Sequence, residues 1–375
     1  MAGIYLHIPF CRKACHYCNF HFSTRLQNKN AVVTALLTEI KQEAHRLSGQ
    51  SIETIYFGGG TPSLLTVEEL NSILNQLAAS FSILRDAEIT LEANPDDIRI
   101  ELLEEWKLAG INRLSIGVQS FREEDLRWMN RAHTAAEALS GIRLARGAGF
   151  ENITIDLIYG TPTLTDAAWE DNLLKAIALD IPHLSCYALT VEPKTALFHL
   201  VESKKMADTD PEQQARQFNM LMDHTSAAGY THYEVSNFAR EGWHSRHNSA
   251  YWKGIPYLGI GPGAHSYDGL HRRWNISNNA LYISGIEKGL PVYEEETLTA
   301  DNRFNEYVMT SLRTMEGIQL AHVRSINGDE YAKILLEKAV KYVHLQQVRI
   351  TETSIQLTNA GKLFADGIAA EFFTG

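Results

Sequence analysis

The sequence predicts an α/β protein: a partial, open (β/α)6-type barrel followed by a small α+β domain at the C-terminus. Three observations predict this fold. Strand-like and helix-like segments alternate through the first two-thirds of the chain; six such units are visible, fewer than the eight of a closed barrel; and the alternation ends near residue 240. Repeated strand–helix units favour a parallel sheet, because a helix usually returns the chain between parallel strands.

The six predicted strands are rich in Ile, Leu, Tyr and Val and alternate little between apolar and polar residues. This pattern is typical of strands that are covered on both faces. They span residues 3–8, 54–59, 88–93, 113–118, 153–159 and 183–189, with a further strand predicted at 231–236. Because barrel enzymes place their sites at the carboxyl ends of the strands, we expect functional groups just after these segments.

Helical patterns occupy the intervals between the strands. One apolar stripe runs from Val33 to Leu47 and stops at Gly49, and another runs from Leu70 to Leu77. Residues 66–69 and 134–137 have the Thr-x-x-Glu spacing of a capping box, which begins a helix. These segments supply the helices that the predicted parallel sheet requires.

The pattern changes near residue 240. We predict three parts: a barrel over 1–240, a connecting segment over 241–299 that is rich in aromatic residues, His, Asn and Gly, and an α+β domain over 300–375. In the last part we expect a helix near 304–312, a strand–turn–strand over 343–357 and a final helix over 358–373.

Composition limits the class of protein. The 375 residues carry a formal net charge of −11, which argues against a nucleic-acid-binding surface. No apolar run is long enough to span a bilayer, and the N-terminal sequence lacks the basic and apolar regions of a signal peptide. We therefore expect a cytoplasmic protein with no transmembrane segment and no nucleic-acid partner.

Three of the four cysteines lie within eight residues, directly after the first predicted strand. A disulfide framework would spread cysteines along the chain, whereas clustering favours metal binding. Cys11, Cys15 and Cys18 have the spacing CxxxCxxC, which lets one tight loop place three thiolates around a [4Fe–4S] cluster. One iron then keeps an open site for a small molecule that binds through an amine and a carboxylate, the basis of S-adenosylmethionine (SAM) cleavage.

Other interpretations of the cysteines stay open at this point. A structural zinc site, completed by His16 or His21, is the other metal centre that this spacing permits, although zinc sites favour two CxxC pairs. The fourth cysteine, Cys186, lies in a strand-like segment, and we expect it to be a small buried residue rather than a ligand.

Further motifs, taken together with the cysteine loop, resemble those of a known protein family. They occur in order along the chain: Tyr5 in YLHIPFCRKACHYCNF, GGGTP at 58–62, Glu92 in LEANPDD, SIGVQSF at 115–121, NRAH at 130–133 and DLIYGTP at 156–162. In these motifs the sequence resembles the oxygen-independent coproporphyrinogen III oxidase family of radical SAM proteins, through residues 5–267. The resemblance implies a radical SAM barrel, a [4Fe–4S] cluster held by the three cysteines, and bound SAM.

The resemblance also implies which residues contact SAM. Glycines at a strand end let a ligand approach the backbone, and polar side chains there can bond an ammonium group or ribose hydroxyls. Taken singly, such residues are more often turns, caps or solvated side chains, but a common position at successive strand ends favours one site. The SAM-contacting residues that the resemblance implies are Tyr5, Tyr17, Gly59, Gly60, Thr61, Glu92, Gln119, Arg131 and Asp156.

The family includes the oxidase and a related heme chaperone, and three features favour the chaperone. The oxidase continues its motif as CxxxCxxCxC, whereas here the last position is Phe20. The oxidase has a long N-terminal arm, whereas here ten residues precede Cys11. Finally, HNSAYW at 247–252 resembles the HNxxYW signature of the chaperone.

The resemblance assigns heme binding to His247, Tyr251 and Trp252. An imidazole can ligate heme iron, and aromatic rings pack against the macrocycle. A loop histidine beside Tyr and Trp is, however, commonly a packed or hydrogen-bonded residue. His244, His265 or a group from another molecule are therefore alternative ligands.

We interpret the chain as a heme chaperone that carries the cluster, binds SAM and heme, and transfers heme to apo-hemoproteins, as a homodimer or in complex with a recipient. It would lack coproporphyrinogen oxidase activity. The alternative is the oxidase itself, in which a 5′-deoxyadenosyl radical starts the oxidative decarboxylation of coproporphyrinogen III. A radical SAM enzyme that acts on another substrate is a third interpretation.

Overall fold

The computed structural model describes residues 1–374. Within them the strands are β1 (Ala2–Ile8), β2 (Ser51–Gly59), β3 (Ser82–Ala93), β4 (Arg113–Gln119), β5 (Asn152–Tyr159), β6 (His183–Ala188), β7 (Thr231–Glu234), β8 (Asn237–Ala239), β9 (Tyr257–Ile260), β10 (His265–Tyr267), β11 (His271–Asn275), β12 (Tyr293–Thr297), β13 (Ile318–Gln319), β14 (Val348–Ile350) and β15 (Ser354–Leu357). The helices are α1 (Lys29–Glu43), α2 (Val67–Ser80), α3 (Ile100–Ala109), α4 (Glu123–Trp128), α5 (Ala135–Gly147), α6 (Asp166–Ala178), α7 (Ala196–Glu202), α8 (Pro211–Ala227), α9 (Arg246–Trp252), α10 (Asn279–Glu287), α11 (Ala300–Leu312), α12 (Leu320–Asn327), α13 (Asp329–His344), α14 (Asn359–Lys362) and α15 (Ala365–Phe372). Short 3-10 helices span Leu26–Asn28, Ala44–Leu47, Pro62–Leu64 and Pro95–Asp97.

Strands β1 to β6 lie side by side in parallel, in chain order. They form the centre of a twelve-stranded sheet within residues 1–374, with the order β12-β11-β10-β9-β1-β2-β3-β4-β5-β6-β8-β7. All six predicted strands are present, and the sheet is open, so the prediction of a partial barrel is confirmed. The strand predicted at 231–236 is present as β7, which is shorter than predicted and forms an antiparallel hairpin with β8 at the far edge.

The helices between the parallel strands bury the apolar stripes that the sequence predicts. Residues Leu36 and Ile40 of α1, and Leu70 and Leu77 of α2, all face the core. Both predicted capping boxes are present, at residues 66–69 and 134–137. This packing holds the carboxyl ends of β1 to β6 at one edge of the sheet, so the loops that follow them lie close together.

Residues 241–299, expected to be a connecting segment, extend the sheet beyond β1. Strand β9 pairs with β1 in parallel register, from Gly3 opposite Tyr257 to Leu6 opposite Ile260. Strands β10, β11 and β12 follow as antiparallel neighbours. Strand β1 therefore lies between β2 and β9. The division of the chain at residues 240 and 299 stays a prediction.

The C-terminal part has its own hydrophobic core and a three-stranded sheet of order β13-β15-β14. An α+β arrangement is therefore present, but the predicted strand–turn–strand began too early, because α13 continues to His344. Its residues Leu335, Ala339 and Tyr342 are buried at helical spacing. The predicted final helix is divided into α14 and α15. No helix within residues 1–374 combines the length and the apolar character needed to cross a membrane.

Candidate cluster and cofactor site

The three clustered cysteines line one cavity at the carboxyl edge of the parallel strands. The cavity has a volume of about 320 Å³, and Cys11, Cys15 and Cys18 all contribute to its wall. The loop that carries them is held to the barrel by backbone bonds: the Cys11 N–H donates to the Ser23 carbonyl at 3.0 Å, and the His16 N–H donates to the Met129 carbonyl at 3.0 Å. The loop is thus part of the barrel wall.

Two hydrogen-bond donors point at the cysteine sulfurs. The Thr61 hydroxyl lies 3.5 Å from Cys11 Sγ, and Arg131 Nη1 lies 3.4 Å from Cys15 Sγ. Burial raises the pKa of the Cys18 thiol to about 11 and also raises the pKa of Cys11. Metal ligation requires thiolates, and donors aimed at sulfur stabilise that form. The residues present therefore fit an iron–sulfur cluster.

The two histidines that could complete a zinc site each use one ring nitrogen in a hydrogen bond. His16 Nδ1 bonds the Trp128 carbonyl at 2.9 Å, and His21 Nε2 bonds Asn279 Oδ1 at 2.7 Å. Within residues 1–374, no group of three His, Cys, Asp or Glu side chains is arranged to hold a metal ion directly. Cys186 is buried in β6, as expected.

The glycine motif after β2 forms the part of the wall that faces the cysteine loop. Gly59 has φ +104, and a Cβ there would lie 2.6 Å from the His7 ring. A Cβ on Gly60 would lie 2.6 Å from the Phe10 carbonyl oxygen, and the Gly60 N–H donates to the Ile8 carbonyl at 2.9 Å. Only glycine permits this approach of the two loops. Gly59, Gly60 and Thr61 all line the cavity.

Two half-buried carboxyl groups, on β3 and β5, face the cavity from either side of β4. Burial raises the pKa of Glu92 to about 7. The hydrogen bond from Tyr56 opposes this rise, and the charge of Asp156 adds to it. Burial likewise raises the pKa of Asp156 to about 6, although the charge of Arg113 opposes it. The Tyr56 hydroxyl donates to Glu92 Oε1 at 2.7 Å. A cation entering the cavity would favour the ionised form of both carboxyls.

Gln119 takes its position from the local backbone of β4, and Arg131 is held by hydrogen bonds to a side chain and a carbonyl. Gln119 ends β4 with φ 67, where the register between β4 and β5 shifts, a conformation that is uncommon outside glycine. Arg131 Nη2 donates to Asn94 Oδ1 and to the Gly117 carbonyl, both at 2.7 Å. Arg131 is thus a buried, oriented group. Both side chains line the cavity.

The two predicted tyrosines are placed differently. Tyr17 lines the cluster cavity together with the cysteines, as the SAM-site prediction requires. Tyr5 lines a neighbouring space instead, with its hydroxyl 3.2 Å from His7 Nδ1 and its ring 6.1 Å from that of Tyr56. The set of predicted SAM residues is therefore brought together in one cavity, with Tyr5 behind its wall.

A second cavity of about 420 Å³ lies on the other side of this wall. It shares Asn19 and Phe20 with the cluster cavity, and the Phe20 side chain is 65% exposed. Its lining is aromatic and rich in imidazole, and consists of Tyr5, His7, Asn19, Phe20, His21, Tyr251, Tyr257, Gly263, His265 and Ser277. We call it the histidine cavity.

The three predicted heme residues on α9 do not converge. His247 is 2% exposed; its Nδ1 lies 2.7 Å from Thr54 Oγ1 and its Nε2 lies 3.0 Å from the Tyr251 hydroxyl. Burial, and then the charge of Arg113, lowers its pKa to about 3. Both nitrogens of this neutral ring already have partners, so neither is open to iron.

The other two members of the motif lie on different sides of the helix. Tyr251 lines the histidine cavity, one helical turn after His247. The guanidinium carbon of Arg313 lies 5.6 Å from the centroid of the Trp252 ring, so Trp252 faces the C-terminal domain. Consecutive residues of a helix point about 100° apart, which explains the separation. His244 stacks on Tyr233 with ring centroids 4.2 Å apart.

Several cavity residues were missed by the sequence analysis. Arg113, Ser115 and Gly117 line the cluster cavity at alternate positions of β4, in the same row as the predicted Gln119. This period of two is the signal that was available, because alternate side chains of a strand share a face. Tyr257 had no such local signal, and neither did the grouping of Phe20, His21 and His265 in one cavity, since β9 and β10 are brought to β1 from a distant part of the chain.

Comparison with known proteins identifies the family of the chain. The sequence model of the radical SAM superfamily matches residues 5–176. The heme chaperone HemW of Bacillus subtilis is 34% identical, over 99% of this chain and 99% of the relative. HemW of Escherichia coli is 32% identical, over 99% of this chain and 97% of the relative.

Among solved structures, coproporphyrinogen III oxidase (HemN) of Escherichia coli, a radical SAM enzyme, superposes with a TM-score of 0.86 at 26% identity. The match covers 100% of this chain and 90% of the oxidase. Membership of the superfamily implies a [4Fe–4S] cluster and SAM. The chain belongs to the radical SAM superfamily and, within it, to the family of the HemW heme chaperones.

Proposed function

We propose that this protein is a heme chaperone that binds heme and passes it to apo-hemoproteins, carries a [4Fe–4S] cluster on Cys11, Cys15 and Cys18, and binds SAM. The observation that carries the proposal is similarity to HemW proteins along the whole chain. An aromatic, imidazole-lined cavity beside the cysteine cavity adds support, because a porphyrin needs apolar faces and its iron needs an imidazole or thiolate.

The cluster, when bound, supplies one-electron chemistry and an open iron for the amine and carboxylate of SAM. The protein's own side chains orient the bound ligands and neutralise their charges. Thr61 and Arg131 donate to the sulfurs of Cys11 and Cys15, which favours the thiolates. The network through Asn94 fixes the Arg131 guanidinium, so this charge needs little rearrangement when ligands arrive.

SAM carries a sulfonium and an ammonium group, and the cavity offers two carboxyls, Glu92 and Asp156, for these cations. The bends at Gly59 and Gly60 expose backbone groups to the same space. Gln119, Thr61 and Tyr17 add polar side chains that can bond the ribose and the carboxylate. Tyr5 acts by packing behind Tyr56, which donates to Glu92.

Heme and apo-hemoprotein acceptors are the proposed partners, and we expect the protein to act in the cytoplasm. A homodimer stays part of the proposal, because a carrier must cover an exposed heme until the acceptor takes it. The exposed ring of Phe20 at the junction of the two cavities is apolar surface that a second chain or an acceptor can cover.

The proposal is tested by anaerobic reconstitution with iron and sulfide, followed by titration with hemin and then with an apo-hemoprotein that has its own Soret maximum. We expect a reduced cluster whose EPR signal changes on addition of SAM, a Soret band on binding hemin, and movement of that band to the acceptor's wavelength. A protein that binds no hemin, or that never yields it to the acceptor, would remove the basis of the chaperone assignment.

A second candidate function is oxygen-independent coproporphyrinogen III oxidation. It is favoured by the full-length superposition on HemN and by the intact set of cavity residues. Anaerobic incubation with coproporphyrinogen III, SAM and a reductant distinguishes the two. Formation of protoporphyrinogen IX would replace the chaperone proposal with the oxidase.

A further inference from the structure

The histidine cavity has the size and lining of a ligand site. Its volume of about 420 Å³ falls within the roughly 300–1,000 Å³ that is usual for small-molecule sites. Its walls combine three tyrosines and Phe20 with three imidazoles. A planar aromatic ligand with a metal at its centre matches this combination, because the rings offer packing faces and an imidazole offers a metal ligand.

The three imidazoles of this cavity differ in how many ring nitrogens are already used. His7 uses both: its Nδ1 lies 3.2 Å from the Tyr5 hydroxyl and its Nε2 lies 2.8 Å from the His21 carbonyl. His21 uses one, since its Nε2 lies 2.7 Å from Asn279 Oδ1. Within residues 1–374, neither ring nitrogen of His265 has a hydrogen-bond partner.

His265 also has the accessibility and the protonation state that a metal ligand needs. It is an exposed residue of β10 on the cavity wall. Burial of part of the ring, and then the nearby charge of Arg272, lowers its pKa and favours the neutral imidazole. A neutral ring keeps a lone pair for iron. In contrast, the HNSAYW motif leaves no free nitrogen on His247.

The turn between β9 and β10 sets the position of His265. Gly263 has φ +80, and a Cβ there would lie 3.3 Å from His21 Cβ. Glycine therefore lets the turn approach the loop that follows the cysteines. This approach brings His265 to the same cavity as His21 and the exposed ring of Phe20.

We infer that the histidine cavity is the heme site and that His265 supplies the axial ligand to the iron. This inference rests on the proposed heme-binding function. Tyr251, Tyr257 and Phe20 pack against the macrocycle. His247 is a positioning residue, because its Nε2 holds the Tyr251 hydroxyl at the cavity wall. Since Asn19 and Phe20 belong to both cavities, a heme bound here would lie beside the cluster site.

The experiment is an anaerobic titration of hemin into the full-length protein, followed by its Soret band and by EPR of the ferric iron. The variants are His265→Gly, His265→Gln, His21→Ala and, as a control on the adjacent strand β11, His271→Ala, whose ring bonds Asp268 at 3.0 Å. We expect both His265 variants to bind hemin about tenfold or more weakly and to lose the imidazole-ligated spectrum. Free imidazole should restore that spectrum in His265→Gly, and His271→Ala should resemble wild type.

The outcomes separate this inference from the function on which it rests. Wild-type protein that binds no hemin overturns the proposed function and the inference with it. Wild-type binding together with an unchanged affinity and spectrum in both His265 variants overturns the ligand assignment alone. Loss of the spectrum in His21→Ala but not in His265→Gly also overturns it, because the ligand would then be His21. Rescue by imidazole supports it and shows that the variant is folded.

Discussion

The two cavities share a wall but are built by different parts of the chain. The cluster cavity is lined by the carboxyl ends of β1 to β6 and by a loop whose three cysteines lie within eight residues. The histidine cavity depends on β9 and β10, which reach β1 from a distant part of the chain. The first is charged and densely hydrogen-bonded, and the second is aromatic and carries an imidazole with free nitrogens. The first lining suits a cluster that stays bound, and the second suits a heme that is passed to an acceptor.

The largest effect should come from removing a cluster ligand. Cys15→Ser takes away the sulfur that faces Arg131, and we expect loss of nearly all bound iron and sulfide and of the EPR signal of the reduced cluster. Cys186→Ala, in the core of β6, is the matched control and should keep the cluster. Hemin binding in the histidine cavity should survive Cys15→Ser; if it is lost as well, the two cavities are not separate sites.

Next in size is the wall between the cavities. Gly59→Ala should lower the free energy of unfolding by about 3 kcal/mol, because a Cβ meets the His7 ring at 2.6 Å and φ is +104. Gly110→Ala is the matched control, since Gly110 has the same φ with open space around it, and should cost only about 1 kcal/mol. Urea denaturation measures both. Equal costs would mean that the wall yields to the added methyl.

Arg131 tests how the cluster cavity is organised. Arg131→Ala removes the donor to Cys15 and leaves Asn94 Oδ1 and the Gly117 carbonyl unpaired, so SAM affinity should fall by about 10–100-fold. Titration calorimetry on reconstituted protein measures this change. The exposed Arg127 serves as the control, and its substitution by alanine should leave affinity unaltered. An equal loss in both variants would argue that only net charge matters.

The raised pKa of Glu92 makes SAM binding depend on pH. A cationic ligand favours the carboxylate, which in the free protein is mostly protonated below its pKa of about 7, so binding releases a proton at low pH. Affinity should therefore rise by about tenfold from pH 6 to pH 8. In Glu92→Gln most of this slope should disappear, leaving the weaker dependence from Asp156 at lower pH. A slope that survives the substitution would point to another group.

The smallest effect concerns the histidine cavity. Tyr251→Phe removes the hydroxyl that lies 3.0 Å from the buried His247 Nε2, and should cost about 1–2 kcal/mol of unfolding free energy while leaving the cluster intact. Tyr267→Phe, on β10, is the control and should be nearly neutral. Thermal unfolding with iron analysis checks both. If Tyr251→Phe is as neutral as its control, His247 does not depend on this bond.

Local patterns predicted the cluster cavity well, for physical reasons that the strands make clear. Parallel strands end at one edge of the sheet, so inward-facing residues near those ends or just after them, such as Asp156, Glu92 and Thr61, come together. The histidine cavity could not be predicted in this way. The sequence motif at His247 and Trp252 is contiguous, but a helix directs those side chains into different surroundings, one against Thr54 and the other against Arg313. The pairing of β9 with β1 joins distant parts of the chain, and no local periodicity of the sequence predicts it.

Because β1 pairs with both β2 and β9, the order in which the chain is synthesised limits when the sheet can be completed. Strand β1 is among the first residues to leave the ribosome, yet one of its flanks stays open until Ile260 has been synthesised. The turn that follows also closes late, when the Gly261 N–H reaches the carboxylate of Glu39 at 2.7 Å. The cysteine loop begins directly after β1. The sheet beside β1 is therefore complete only after β9 has paired with it. We therefore expect iron and sulfide to be loaded once β9 has paired with β1.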